Sequence, residues 1–251
     1  GNSNTSGTQN TATGINALLN NTTGQRNVAM GAGALESNSA SSELTAVGAF
    51  ALQANTTGAE NVAVGFESLQ NNTTGFDNTA VGYQALVANN TGSWNTALGP
   101  YTLSSNTTGY INVAIGVGPL GSNTTGSRNL AVGMNTMAAN TTGSNNNAFG
   151  VDALGDNTTG NYNEAYGHRA LEMVTTGTGN IGIGYLSGVT STSANANLTG
   201  NYNVYVGYGS GPGTATQLNN AIAIGKNAFV GASNSMVLGG TGADAVNVGM
   251  G

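Results

Sequence analysis

His168 is the only histidine of the chain, and it stands beside Arg169 with Glu164 and Glu172 close by in sequence. An imidazole and two carboxylates are the residue types that general acid–base and glycosidic chemistry require. No nucleophile-and-base constellation accompanies them, so no catalytic residue is assigned and His168 reads as a surface polar group. Glu43, Glu60 and Asp77 recur as an acidic column with Arg26 one step before it. Such a column offers oxygen ligands to a hard cation, but separate solvated carboxylates are the simpler reading and no metal is assigned. Asp152 and Arg169, also one step apart, are placed to pair. No cofactor is expected: the glycine-rich strings lack a Gly-Lys-Ser/Thr loop and its strand–loop–helix setting.

The stronger chemical signal is aromatic. Phe76, Trp94 and Tyr110 fall in the variable turn that follows Thr-Thr-Gly or its variant, and a tyrosine-rich stretch follows with Tyr162, Tyr166, Tyr185, Tyr202, Tyr205 and Tyr208. Exposed rings repeated along a rod suit contact with sugars or with another protein; strand propensity and local packing would place the same residues for other reasons. The candidate ligand-binding residues are therefore Phe76, Trp94, Tyr110, Tyr162, His168, Arg169, Tyr202 and Tyr208.

The element that must position these residues is a repeat. In Asn-x-Ala-x-Gly and its variants the glycine recurs at Gly14, Gly31, Gly48, Gly65, Gly82, Gly99, Gly116, Gly133, Gly150, Gly167 and Gly184, every step being 17. Asn-Thr-Thr-Gly keeps the same period, and Ala-Leu or a near equivalent sits between the two strings. A unit this short cannot bury its own apolar side chains and must stack on copies of itself. With two glycines, an Asn-Thr-Thr turn and one run such as Asn61-Val62-Ala63-Val64-Gly65, it predicts one β-coil per repeat rather than a helical pair. The fold expected is all-β: a β-solenoid or β-roll with a 17-residue coil.

Composition agrees. The 251 residues include 41 glycines, no cysteine and only 6% charged side chains. The net charge of -6 supplies no basic surface for phosphates, so nucleic acid is not an expected partner. There is no run of apolar residues long enough for membrane insertion and no signal-peptide pattern, which reads as a soluble mature segment or an excised fragment.

The residue before the repeat glycine is apolar in nearly every copy (Met30, Val47, Val64, Val81, Leu98, Ile115, Val132, Phe149, Tyr166, Ile183), and the residue before that is Ala from Ala29 to Ala165. Neighbours on a strand point to opposite faces. The expectation is that the larger column faces the coil interior and the Ala stripe faces outward as an oligomer seam; the alternative is that Ala fills a narrow interior.

The strings Asn78-Thr79-Ala80-Val81-Gly82-Tyr83-Gln84-Ala85-Leu86 and Asn220-Ala221-Ile222-Ala223-Ile224-Gly225 resemble the head repeats of trimeric autotransporter adhesins and related bacterial or phage fibres. The stretch from Asn234 to Gly249 resembles the segment that precedes an endosialidase-type intramolecular chaperone in such fibres. The resemblance implies β-rolls associating side by side as a homotrimer, located extracellularly, at the cell surface or in a virion fibre. Its familiar repeat matches the 14-residue step from Gly225 to Gly239 better than the 17-residue unit.

Three departures from the repeat stand out: the Ser-rich turn Ser37 to Leu44, the insertion near Val189 to Ala196, and the Gly-Pro-Thr loop from Tyr208 to Leu218. The last two, close to the switch to shorter rungs, are read either as a binding loop or as a simple transition between coil types. The organisation read from sequence is regular 17-residue repeats over 1–185, irregular coils with loop insertions over 186–219, and shorter head-type rungs with a C-terminal segment over 220–251. The function expected is an extracellular trimeric fibre or adhesin segment, a rigid elongated scaffold able to hold cell-surface glycans or a protein receptor, and not an enzyme. Two alternatives stay open: an ice-binding β-solenoid, suggested by aligned threonines and low charge, and a glycan-cleaving tail-spike segment, which would need a carboxylate pair such as Glu164 with Asp156.

Overall fold

The computed structural model describes residues 3–189 and 196–240. The insertion expected near Val189 to Ala196 therefore lies largely outside the described residues, as does the C-terminal segment beyond residue 240. No helix occurs among the described residues. The chain forms two compact units, Gly1–Arg128 and Asn129–Gly251, and each is a parallel β-solenoid.

In the first unit the strands are β1 (Thr11–Thr13), β2 (Val28–Met30), β3 (Thr45–Val47), β4 (Val62–Val64), β5 (Thr79–Val81), β6 (Thr96–Leu98) and β7 (Val113–Ile115). Each pairs with the next in parallel, and equivalent repeat positions face one another, as in Ala46↔Ala63 and Val47↔Val64. The second unit contains β8 (Leu130–Val132), β9 (Asn147–Phe149), β10 (Glu164–Tyr166), β11 (Ile181–Ile183), β12 (Val204–Val206), β13 (Gly211–Pro212), β14 (Ile222–Ile224), β15 (Phe229–Val230) and β16 (Met236–Leu238). The long step between Gly184 and Gly207 leaves the ladder intact, because Ile181 still pairs with Val204. Part of the expected Gly-Pro-Thr loop is itself a strand: β13 pairs in parallel with β15 as a small second sheet.

Numbering each coil from its repeat glycine as position 1, the strand occupies positions 15 to 17. The expected facing of this strand is inverted. Position 16, the Ala column, points inward: Ala29, Ala46, Ala63, Ala80, Ala97 and Ala114 in the first unit, and Ala131, Ala148 and Ala165 in the second, are completely buried. Position 17 points outward and stays partly exposed, at 45% for Met30 and 43% for Ile183. The reason is volume. The position-5 leucine already fills the coil beside position 16; even at Gly182, which replaces the Ala, a Cβ would stand 2.6 Å from Leu171 Cγ. Ala thus fills a narrow interior, and the Ala seam is overturned.

Where Ala is replaced by something larger, the interior compensates. Tyr205 occupies position 16 in β12 and is completely buried. It is flanked by Gly182 on the neighbouring strand and by Gly188, which stands at the usual leucine position and would bring a Cβ to 3.1 Å from the Tyr205 ring.

The corners of the coil are left-handed. Leu18, Leu35, Leu52, Leu69, Leu86, Leu103 and Leu120 all have φ between 50° and 53°. That conformation costs an L-residue about 1–2 kcal/mol. Complete burial of the leucine side chain returns about 1.5–3 kcal/mol, which offsets the cost at this corner. The repeat glycine is constrained further: Gly82 has φ 137°, and a Cβ there would lie 2.5 Å from the carbonyl group of Gly99 on the next coil.

Two buried amide ladders run through the turns. In the first unit Asn72 Nδ2 donates to Asn55 Oδ1 at 3.0 Å, Asn89 to Asn72 at 2.9 Å and Asn106 to Asn89 at 2.8 Å. Each also donates within its own turn, Asn89 to the Gly92 carbonyl at 2.9 Å. The second ladder uses the Asn before the strand, for example Asn95 Nδ2 to Asn78 Oδ1 at 3.1 Å and, in the second unit, Asn180 to Asn163 at 3.1 Å. The Asn-Thr-Thr-Gly glycine is needed for space rather than for positive φ: a Cβ on Gly75 would lie 2.3 Å from the Gly92 carbonyl and 2.4 Å from Asn72 Oδ1. The Ser-rich turn keeps this geometry. Asn38 donates to the Ser41 carbonyl at 3.1 Å and to Asn21 Oδ1 at 3.0 Å, so it is a variant rung rather than a break.

Candidate functional site

Two exposed ridges carry the residues singled out from sequence. The first is the turn at positions 12 and 13, where position 13 is left-handed in every coil (Glu43 φ 63°, Asp77 φ 53°, Trp94 φ 57°, Tyr162 φ 58°) and so throws its side chain outward. In the first unit this ridge begins with charge. Arg26 pairs with Glu43 at 2.5 Å, and the Glu60 carboxyl is held above its ordinary value of 4.5 because its protonated form donates a hydrogen bond to Asp77 and because the charges of Asp77 and Glu43 lie close by. Among the described residues no three His, Cys, Asp or Glu side chains converge on a common point.

Further along the same ridge Phe76 and Trp94 meet edge to face, with centroids 4.6 Å apart and planes at 77°. Trp94 remains 51% exposed. Tyr110 follows, and the Arg128 guanidinium lies 5.4 Å from its ring centroid, within cation–π range. Ile111 is also exposed. The three aromatic residues predicted in this unit therefore lie on one ridge, with Phe76 and Trp94 in direct contact. In the second unit Tyr162 and Tyr202 are the most exposed rings, at 62% and 65%. They flank Gly179 on the same ridge, and Tyr202 lies over that glycine: a Cβ there would be 2.6 Å from its ring.

The second ridge is formed by positions 2 and 3, just past the repeat glycine. In the second unit His168 stacks on Tyr185 (5.3 Å, 29°), and Tyr185 on Tyr208 (5.2 Å, 21°). Arg169 does not pair with Asp152 as its spacing suggested. Its Nε donates to Glu172 Oε2 at 2.6 Å, three residues on in the same coil, because the tight corner brings positions 3 and 6 together. The Glu172 hydrogen bond and charge raise the Arg169 pKa.

The same ridge in the first unit carries an aromatic row that was not singled out: Phe50, Phe66, Tyr83 and Tyr101. Successive ring centroids are 6.1, 5.5 and 5.2 Å apart. The signal was present in the sequence as aromatics one or two residues past the repeat glycine. Beside this row Gln84 donates to Glu67 at 2.6 Å, Gln53 to Glu36 at 2.8 Å and Gln70 to Gln53 at 3.0 Å.

The threonine pairs divide as adjacent residues must. The first hydroxyl donates to a carbonyl of the next coil, Thr56 to Thr73 at 2.9 Å and Thr107 to Thr124 at 3.0 Å, while the second threonine is exposed. Glu164 and Asp156 lie on different parts of the coil, one in strand β10 and one in the turn before Asn157.

The outward strand positions, 15 and 17, form a third surface. It presents Val62 and Val64, Val113 and Ile115 in the first unit, and Ile181 and Ile183, Ile222 and Ile224 in the second. Glu164 is its one charged side chain among the described strands. No protein-family model and no curated protein sequence matches the chain.

Proposed function

We propose that this chain is a segment of an extracellular trimeric fibre of adhesin type, in which copies associate through the outward strand face. The observation that carries the reading is that face: its position-17 column is apolar at nearly every rung, its position-15 column is apolar or threonine at most rungs, it is almost free of charge, and the chain's own turns leave it uncovered. Depletion of charge is the compositional mark of interface cores. The strip also repeats with the strand spacing of about 4.8 Å, so the partner that matches it rung for rung is a second copy of the same coil. Three copies, and an extracellular location, follow the resemblance of the repeat to adhesin heads. Replacing Val64 and Val81 by Lys tests the interface: the chain is expected to sediment as a monomer with its far-UV circular dichroism unchanged, and an assembly that survives the double substitution would refute it.

The scaffold reading extends to ligand contact at the ridges. Trp94 is both exposed and fixed by Phe76, which suits stacking on a sugar ring at low entropic cost. Binding of the assembled chain to a glycan array, lost in Trp94→Ala, is the expected result; an array with no signal would leave the scaffold role alone.

A further inference from the structure

Two adjacent rungs of the second unit interrupt the apolar strand face. Where the flanking rungs present Leu130 and Val132 on one side and Ile181 and Ile183 on the other, β9 and β10 present Asn147 with Phe149 and Glu164 with Tyr166. These side chains form one set. Asn147 Nδ2 donates to Glu164 Oε1 at 2.8 Å, and the Tyr166 hydroxyl donates to Glu164 Oε2 at 3.2 Å. The rings of Phe149 and Tyr166, at the other outward position of the same strands, stack on one another at 5.1 Å and 12°. Glu164 is half-buried, with each carboxylate oxygen accepting one of these hydrogen bonds.

We infer that this polar set fixes the axial register in which copies of the chain associate, an inference that rests on the strand-face association proposed above. Outside these two rungs the strip discriminates little between registers: sliding one copy by a rung of about 4.8 Å trades one uncharged side chain for another, among Val, Ile, Leu, Met and Thr. A carboxylate breaks that degeneracy. In register, the Glu164, Asn147 and Tyr166 sets of neighbouring copies lie side by side, and the second amide N–H of Asn147, the one not given to its own Glu164, is the donor within reach of the neighbouring carboxylate. Slipped by one rung, Glu164 loses water against Ile181 and Ile183 of its neighbour and gains no donor, which is the costly arrangement for a charge. A polar side chain at one position of a coiled-coil seam sets register by the same physics.

Threonine is the conservative replacement, because Thr45, Thr79 and Thr96 already occupy the equivalent strand position. The chain has no native cysteine, so V206C places a single thiol on the same face in β12. In the native background sedimentation velocity should show one assembled species, and V206C copies should form interchain disulfides with one another. In Asn147→Thr/Glu164→Thr the copies should still associate, but slipped registers leave apolar overhangs that recruit further copies. The mass distribution then broadens and V206C cross-linking falls severalfold. A double variant that keeps both the single mass and the native cross-linking overturns the register role while leaving association standing, as does an assembled native chain whose V206C form does not cross-link. A native chain that sediments as a monomer removes the association and the register role together.

Discussion

Asn89→Ala cuts the middle of a completely buried amide ladder, and its cost can be worked from the bonds it removes. Asn89 Nδ2 donates to Asn72 Oδ1 and to the Gly92 carbonyl, and Asn89 Oδ1 accepts from Asn106 Nδ2. The Gly92 carbonyl keeps a second donor, Asn78 Nδ2 at 2.9 Å, and so is not orphaned. Asn72 Oδ1 and one N–H of Asn106 are left buried without a partner. At about 1–3 kcal/mol for each such group, the substitution should destabilise the chain by about 2–6 kcal/mol. Asn71→Ala is the control: Asn71 is exposed and makes one bond, to the Val87 carbonyl at 2.9 Å, so its loss should cost no more than about 1 kcal/mol. Urea unfolding followed by far-UV circular dichroism measures both from the midpoint shift and its slope. An Asn89→Ala midpoint within error of the Asn71→Ala midpoint would refute the claim that the amide ladder holds the coils in place.

Ala80→Leu should destabilise by about 1–3 kcal/mol by overfilling the coil, read by the same unfolding curve; no change would mean that Ala80 does not face inward. Tyr205→Phe should leave stability unchanged or raise it, because the buried hydroxyl has no hydrogen-bond partner; a clear fall in thermal midpoint would contradict that. The Glu60 carboxyl should titrate above 4.5 by NMR and move down in Asp77→Ala, since Asp77 is the first cause of its shift. The raised value means that the fold favours the protonated form, so this group's contribution is complete below pH 4.5 and is lost as pH rises through the folded value; a Glu60 midpoint insensitive to Asp77→Ala would sink the assignment.

The period was legible because a solenoid must return the same residue type to the same point in every coil, and Gly82, Asn89 and Leu86 each answer a constraint that repeats. The facing of the strand was not legible from its own residues. It is only three residues long, and Ala80 and Val81 are both apolar, so alternation carries no polar marker. What decides the matter is the left-handed corner that turns Leu86 into the coil beside the Ala column, and that is a property of the stack. Phe76 and Trp94 could be placed together because they share one turn in successive repeats. Phe50, Phe66, Tyr83 and Tyr101 escaped because the ring alternates between two neighbouring positions, so no single column displays the row. Arg169 was matched to Asp152 by period, whereas the corner offered it Glu172 within its own coil.

The inversion moves the proposed association surface from the Ala column to its neighbours, and the mass of the native chain in solution tests that proposal most directly. Sedimentation equilibrium of the 251-residue chain at neutral pH should return three times its 24.7 kDa mass. A species of 24.7 kDa at micromolar concentration would contradict the account.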